Sequence, residues 1–510
     1  MAAVHFANWK GSAGRGLRTG LCACLLALAA AAEARAEAGE AWDWSEHLEL
    51  GFSDRLRFEG VNWFQPPSGG GIDRDAHHYV FGANRARLAA QLSFPSWQAV
   101  FELQDTRIFG LPDDATLGAP FGALGPGAVY FAHTAQRNQG ELAVKQGYLT
   151  LRHSGVSLTG GRFEHRDGLE SVPGHRTLAW LKKSRIAERL VGPFGYTHVG
   201  RAFDGFRVAY DDDSFNTTLF GARPTRGGFE VSANRGLDDV GVGVASFTWK
   251  RPPGPVPLEL RAFYLYYQDG RDDPTKVDNR PPAARAADGR TIALHTGGGH
   301  VLAVLDAGPG EVDLLGWFAI QGGDWGRLDH FAWAYALEAG YRLPRLPAQP
   351  WLRVGWNRSS GDDDPGDGDH ESFFQVLPTA RVYARFPFFN LMNSSDVFAQ
   401  LILDPHRWVR LRLDYHWLRL AERGDLWYAG GGASNEKIFG FGGLASGGDR
   451  DLAHLLDLGV SLGPWQPHED FDLKLSVELY YGHAFGGSVV RNAFADAHAD
   501  YGFAELTLRY

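Results

Sequence analysis

Residues 408–417 read WVRLRLDYHW, and the alternation in that stretch decides the fold. On an extended strand successive side chains point to opposite faces. Val409, Leu411, Leu413, Tyr415 and Trp417 then share one face, and Arg410, Arg412, Asp414 and His416 share the other. A soluble sheet would turn the apolar face to a core. A membrane barrel would turn it to lipid and the charged face to a watery lumen. One strand fits either, so the neighbours must choose.

Similar two-faced segments recur along the whole chain. After a first one at 48–59 they fall at 79–92, 97–107, 142–152, 156–164, 203–210, 215–222, 240–250, 258–267, 300–307, 312–321, 331–342, 350–359, 397–403, 408–418, 452–462, 471–483 and 501–510. That makes 18 candidates, most near the ten residues a tilted strand needs to cross a bilayer. Most of the gaps alternate in length. Short ones (94–96, 153–155, 211–214, 308–311, 404–407) take turns with long ones (62–78, 109–141, 165–202, 269–298, 360–396, 421–451). Short turns on one side and long loops on the other fit an even-stranded outer-membrane barrel, and a soluble sandwich has no reason to sort them. The chain ends on Tyr510, with Leu508, Leu506, Ala504 and Gly502 on its face, a closing strand of the kind the barrel assembly machinery reads.

The N-terminus agrees. Lys10, Arg15 and Arg18 precede an apolar run from Leu21 to Ala32, and Ala34-Arg35-Ala36 supplies a cleavage pattern, so residues 1–36 read as a signal peptide and 37–510 as the barrel. The run is too short to span a bilayer as a helix. Both cysteines, Cys22 and Cys24, lie inside it, so the mature chain has no disulfide. Removing a segment of net +3 takes the charge from −10 to near −13, which leaves the placement of charge more informative than its sum. Sixteen Trp, 17 Tyr and 33 Phe sit in a chain of negative mean hydropathy, again as in a barrel.

On the non-lipid face the alternation places Arg57, Arg85, Arg87, Arg162, Arg207, Arg261, Arg353, Arg410 and Arg412, each with apolar neighbours one position away. In a dry core so many guanidinium groups would be very costly; along an aqueous lumen they need only water and partial pairing. Their planar forks suit carboxylates, so the set is expected to form an anion pathway, with Glu49, Glu102, Glu164, Glu259, Asp414 and Glu478 holding some of them. The alternative is a wall of salt bridges with no substrate role. Ser360–Glu371 is the densest acidic run; Asp362, Asp363, Asp364, Asp367 and Asp369 suggest a divalent ion but miss the EF-hand spacing, and a solvated external loop is the first reading. No nucleophile elbow, HExxH or phosphate-loop motif appears, and Gly297–Gly299 and Gly430–Gly432 read as flexible loop. Thr177–Leu190, with Lys182, Lys183, Arg185 and Arg189, reads as a short basic helix, either in a loop able to fold into the lumen and narrow it or in a plain surface loop.

GRFEHRDG at 161–168, SRIAERLVGPFG at 184–195, GRAFDGFRVAY at 200–210, SGDDDPGDGD at 360–369, the Asn390-Leu391 step, WLRLAERGDLWY at 417–428 and GHAFGG at 482–487 occur in the order seen in the alginate export family of outer-membrane channels, which this chain resembles over nearly its whole mature length. The resemblance implies an 18-stranded monomeric barrel passing an anionic polysaccharide through an arginine-rich lumen. It implies no cofactor and no nucleic-acid partner. Lipid, lipopolysaccharide and periplasmic export proteins are the implied neighbours. By motif it points to Arg162, Glu188, Arg189, Arg201, Asp204, Arg207, Arg410, Arg412 and Glu422. The rival readings are a porin for small anionic or sugar-like solutes and an outer-membrane hydrolase.

Overall fold

The computed structural model describes residues 46–68, 73, 75–118, 122–250, 256–380, 383–466 and 472–510; the segment read as a signal peptide, 1–36, lies outside them. The wall consists of β1 (Leu48–Asn62), β2 (His78–Ser93), β3 (Trp97–Phe109), β4 (Gln139–His153), β5 (Val156–Phe163), β6 (Phe203–Asp211), β7 (Phe215–Pro224), β8 (Val240–Trp249), β9 (Leu258–Asp269), β10 (Ile292–Ala307), β11 (Gly310–Trp325), β12 (Leu328–Arg342) and β13 (Trp351–Ser359), continued below. A two-residue β14 (Asp369–His370) lies parallel to β12, after which the wall resumes with β15 (Ser394–His406) and β16 (Val409–Leu420). The hairpin β17 (Leu426–Ser434) and β18 (Phe439–Ala445) stands apart from it, before β19 (Asp451–Trp465), β20 (Lys474–Gly486) and β21 (His498–Arg509) complete the ring. Each wall strand pairs antiparallel with its neighbours, and β1 closes on β21 with Arg57 opposite Glu505. Closure gives every strand two partners, so no backbone edge faces hydrocarbon. No described helix is long and apolar enough to cross a membrane.

The strand that set the expectation behaves as read. In β16, Leu413, Tyr415 and Trp417 are 39–45% exposed on the outside, while Asp414 and His416 are 1% exposed within. All 18 expected strands exist, with one shift of boundary that has a clear cause. β10 starts at Ile292, so Gly297–Gly299 lie mid-strand and not in a loop. A Cβ on Gly298 would stand 2.3 Å from the Phe318 carbonyl oxygen and 2.6 Å from the Phe263 ring, so the glycine permits close strand and ring packing. Gly430–Gly432 likewise belong to β17. Among the described residues four short helices sit in the connections: α1 (Pro126–Thr134), α2 (Arg176–Leu181), α3 (Pro282–Ala286) and α4 (Ser488–Ala493). The basic helix expected over 177–190 is only α2 plus a π-helical turn, Lys182–Ile186, ended where Ala187 turns extended and Glu188 takes positive φ.

Candidate functional site

Two long connections enter the barrel. The β5–β6 segment, 164–202, carries α2; the β13–β15 segment, 360–393, runs beside it. They zip together through a parallel bridge between Val191 and Leu377. Leu377 N donates to Leu190 O (2.8 Å), Gly192 N to Leu377 O (2.9 Å) and Thr379 N to Glu188 O (3.0 Å). Tyr383 Oη donates to the carbonyls of Ile186 and Ala187. Where the two segments pack on each other their backbone is out of reach of water, and these mutual bonds satisfy its donors and acceptors.

One end of the inserted unit docks on β9–β13 through buried charge. Lys182 Nζ meets Glu259 at 2.8 Å, and Arg261 meets Asp167 (2.6 Å) and Glu170 (2.7 Å). Glu338 is the hub: Arg185 (2.8 Å), Arg189 (3.3 Å) and Arg353 (3.2 Å) converge on its two oxygens, with all four side chains essentially unexposed. Arg353 is also held by Asp313 at 2.9 Å, and Trp180 packs on Trp351 at 4.3 Å. Gly340 makes the room: a Cβ there would stand 2.1 Å from Asp313 Oδ2 and 2.8 Å from Arg353 Cγ. The other end reaches β1–β4. Arg55 and Arg85 both donate to the carbonyls of Gly195 and Thr197, Arg57 to that of Tyr196, Gln104 to Val199 and Lys145 to Arg201. His198 Nε2 meets Glu59 at 2.7 Å. The β5–β6 segment is therefore a crossbar from one wall to the other.

The expected arginines separate into three groups. Arg57, Arg261 and Arg353 face inward but are buried and paired beneath the crossbar, so for them the wetted lining gives way to structural salt bridges. Arg85, Arg87, Arg207, Arg410 and Arg412 face inward with part of their surface open. Arg87 touches Glu102 (3.3 Å) and Glu164 (3.2 Å), Arg412 pairs with Asp414, and Arg410 with Asp404 (2.7 Å) beside the short β15–β16 turn. Arg162 is a correction. It pairs with Asp204 at 2.6 Å, but both share the side of Leu158 and Phe206, which are 46% and 50% exposed outside, and Asn234 of the β7–β8 connection covers the pair. Apolar neighbours misled because the inner face is itself apolar here, with Phe163 turned in against Phe220, which also packs on Phe203. Glu422 is a second correction: it pairs with Arg450 past the end of β16, at the long-loop rim.

Of the residues marked by motif alone, Glu188, Arg189 and Arg201 lie buried in the crossbar, where Arg201 donates to the Gly431 and Gly432 carbonyls. Burial raises the Glu188 carboxyl, against the pull of the Arg166 charge. Sequence reasoning passed over Arg55, Arg166, Arg385 and the hub Glu338. Arg55 and Glu338 were legible, being in phase with Arg57 and with the inward side of β12. Arg166, exposed beside Glu164 (3.6 Å) and Glu188 (3.5 Å), and Arg385, paired with Glu478, sit on inserted loops where no alternation marks them.

The acidic run projects outside: Asp363, Asp364, Asp367 and Asp369 are exposed, and several only cap local backbone amides. Among the described residues they form no set of three converging metal-capable groups. Asp362 turns in toward Asp425, whose oxygens take Ser372 Oγ, Tyr428 Oη (2.7 Å) and the Asp362 amide (3.1 Å). Burial, aided by the Asp425 charge, pushes the Asp362 carboxyl from 3.8 to about 7, and burial lifts Asp425 to about 6. Carboxyls raised in this way stabilise the docked loop fully below pH 3.8 and lose that stabilisation as pH climbs through about 6 to 7. Going from about pH 5 to about pH 8 should therefore loosen the segment and raise the frequency of gating transitions in single-channel records. Asp362→Asn with Asp425→Asn should flatten that response; equal pH sensitivity in both proteins would refute the account.

The family described as alginate export matches residues 48–504. No curated protein matches the chain. Among solved structures, OccAB2 of Acinetobacter baumannii aligns over 92% of this chain and 99% of its own, with TM-score 0.57 and 8% identity. OccAB1 of the same organism gives 0.54 and 9% over 92% and 99%. OpdK of Pseudomonas aeruginosa, solved with vanillate, gives 0.52 and 9% over 91% and 98%. At such identities the likeness is one of fold, and the fold is that of outer-membrane porin barrels.

Proposed function

This chain belongs to the alginate export family and is an outer-membrane β-barrel channel, and from that premise we propose that it passes an anionic, polyuronate-type polysaccharide through an arginine-lined, anion-selective path. The observation that supports this reading most is the set of inward guanidiniums the crossbar leaves open. Arg85, Arg87 and Arg166 lie toward β1–β5, and Arg385 and Arg412 lie toward β16–β20. Arg87, Arg166, Arg385 and Arg412 each share a resident carboxylate, so an incoming carboxylate exchanges one partner for another. Contacts of that kind are strong enough to attract and weak enough to release, which conduction requires. In this reading residues 1–36 are the export signal, the long loops meet lipopolysaccharide, the barrel works as a monomer, and the periplasm drives the polymer.

A second reading, a porin for small anionic solutes, is favoured by the crossbar, which touches β1–β4 at one end and β9–β13 at the other and so divides the lumen. Planar-bilayer recording of the purified protein with oligouronate or a small aromatic acid added to one side separates the two. Block that deepens with oligomer length is expected for the polymer channel. Block by the small acid with indifference to the oligomer would overturn the first reading in favour of the second.

A further inference from the structure

Inside the wall, between β16 and β19, three buried side chains converge. Asp414, His416 and Asp457 are 1%, 1% and 3% exposed, and one ligand-capable atom of each lies within 4.8 Å of the others. Asp414 and Asp457 stand directly opposite each other on the paired strands. His416 uses Nδ1 on Asp396 of β15 (3.0 Å), while its Nε2 is buried without a hydrogen-bond partner among the described residues. Gln400, opposite Asp414 on β15, gives its amide to Asp414 Oδ1 (3.0 Å) and keeps a buried Oε1 that receives no donor from the described residues. A native interior rarely leaves an imidazole nitrogen and an amide oxygen idle beside two carboxylates.

We propose that this cluster is a binding site for a divalent transition-metal ion, with His416 Nε2 and one oxygen each from Asp414 and Asp457 as ligands and Gln400 Oε1 beside them. The surroundings are those a metal site needs. Asp396 fixes the ring from its far nitrogen, as carboxylates do behind metal-bound histidines. Tyr480 Oη (2.7 Å) and the Arg385 amide (3.2 Å) orient Asp457 while leaving lone pairs free. Arg412 supplies one positive charge on Asp414; a dication offsets the rest. The imidazole selects zinc, or cobalt in its place, over calcium, magnesium or manganese, which prefer oxygen sets. Ligand atoms up to 4.8 Å apart must close to roughly 3.3 Å around a tetrahedral ion, a move within reach of a carboxylate torsion. Such an ion would staple β15, β16 and β19 together, whatever the channel carries.

The test uses the full mature chain in detergent, stripped with a chelator and titrated with Co²⁺ alone, then with Zn²⁺. Saturable uptake of one Co²⁺ per chain, visible ligand-field absorption displaced by Zn²⁺, and a rise in unfolding temperature are expected. His416→Gln and Asp457→Asn should each weaken binding by roughly tenfold or more. His454→Gln, on the outer side of β19 against Tyr415, should leave it unchanged. Heat-modifiable migration on gels confirms that each variant is folded, and if one is not, the other decides. No ligand-field spectrum in the parent protein, or unchanged affinity in a folded His416 or Asp457 variant, overturns the site.

Discussion

Replacing Glu338 with alanine is expected to unseat the crossbar, raising single-channel conductance several-fold and lowering the resistance of the inserted loops to protease. Three guanidiniums converge on this carboxylate, and its side chain is unexposed. After the change Arg353 keeps Asp313 and Arg189 keeps Asn357, but among the described residues Arg185 keeps only a Tyr383 carbonyl at 3.4 Å and the flanking rings. Breaking a buried ion pair from one side costs about 3–5 kcal/mol, because the surviving charge stays out of water. The cost falls on the docked loop more than on the wall, since every wall strand keeps both its neighbours. Glu338→Gln, with the shape kept and the charge removed, should give an intermediate conductance. Parent-level conductance in both variants would show that other contacts hold the crossbar.

Reversing one charge at Arg85 is expected to produce the largest change in ion selectivity. Arg55 and Arg85 are direct neighbours across β1 and β2, and both lean on the same two crossbar carbonyls. Arg55 has Glu505 at 3.6 Å, while Arg85 has no carboxylate within ion-pair distance among the described residues. An ion passing at about 8 Å in a wet lumen feels about 1 kcal/mol per unit charge, so Arg85→Glu removes about 2 kcal/mol of anion preference. That is more than tenfold in permeability ratio. Reversal potentials in a salt gradient read it directly, at low ionic strength so that screening does not hide it. Arg85→Gln should give about half the shift in free energy. A permeability ratio that does not move in either variant would place the selective path elsewhere.

How much of this was legible beforehand depended on which residues lie on strands. WVRLRLDYHW carried its answer because side-chain alternation is a local consequence of extended backbone, and lipid on one side keeps the pattern clean. The same rule located all 18 strands and the inward direction of Arg57, Arg85, Arg87, Arg207, Arg261, Arg353, Arg410 and Arg412, and the gaps sorted short from long connections except at β11–β12, where residues 326–327 make a tight turn on the long-loop side. It failed at Arg162, where Phe163 puts an apolar ring on the inner face, and at Gly297–Gly299, where glycine marks close packing inside a strand.

Sequence by itself therefore determined the barrel, its strand number and which side of the wall most charges face, because each follows from a period of two read against lipid. Tertiary structure alone decided which of those charges meet water. That depends on two connections far apart in the chain, 164–202 and 360–393, bonding to each other and lying across the lumen. Loops have no fixed period, so nothing in their sequence announces the walls they touch. Arg353 and Arg412 look alike in the chain, yet one is sealed between Asp313, Glu338 and two tryptophans while the other stays partly open. The difference is set by long-range packing, which also brings Asp414, His416 and Asp457 to a single point.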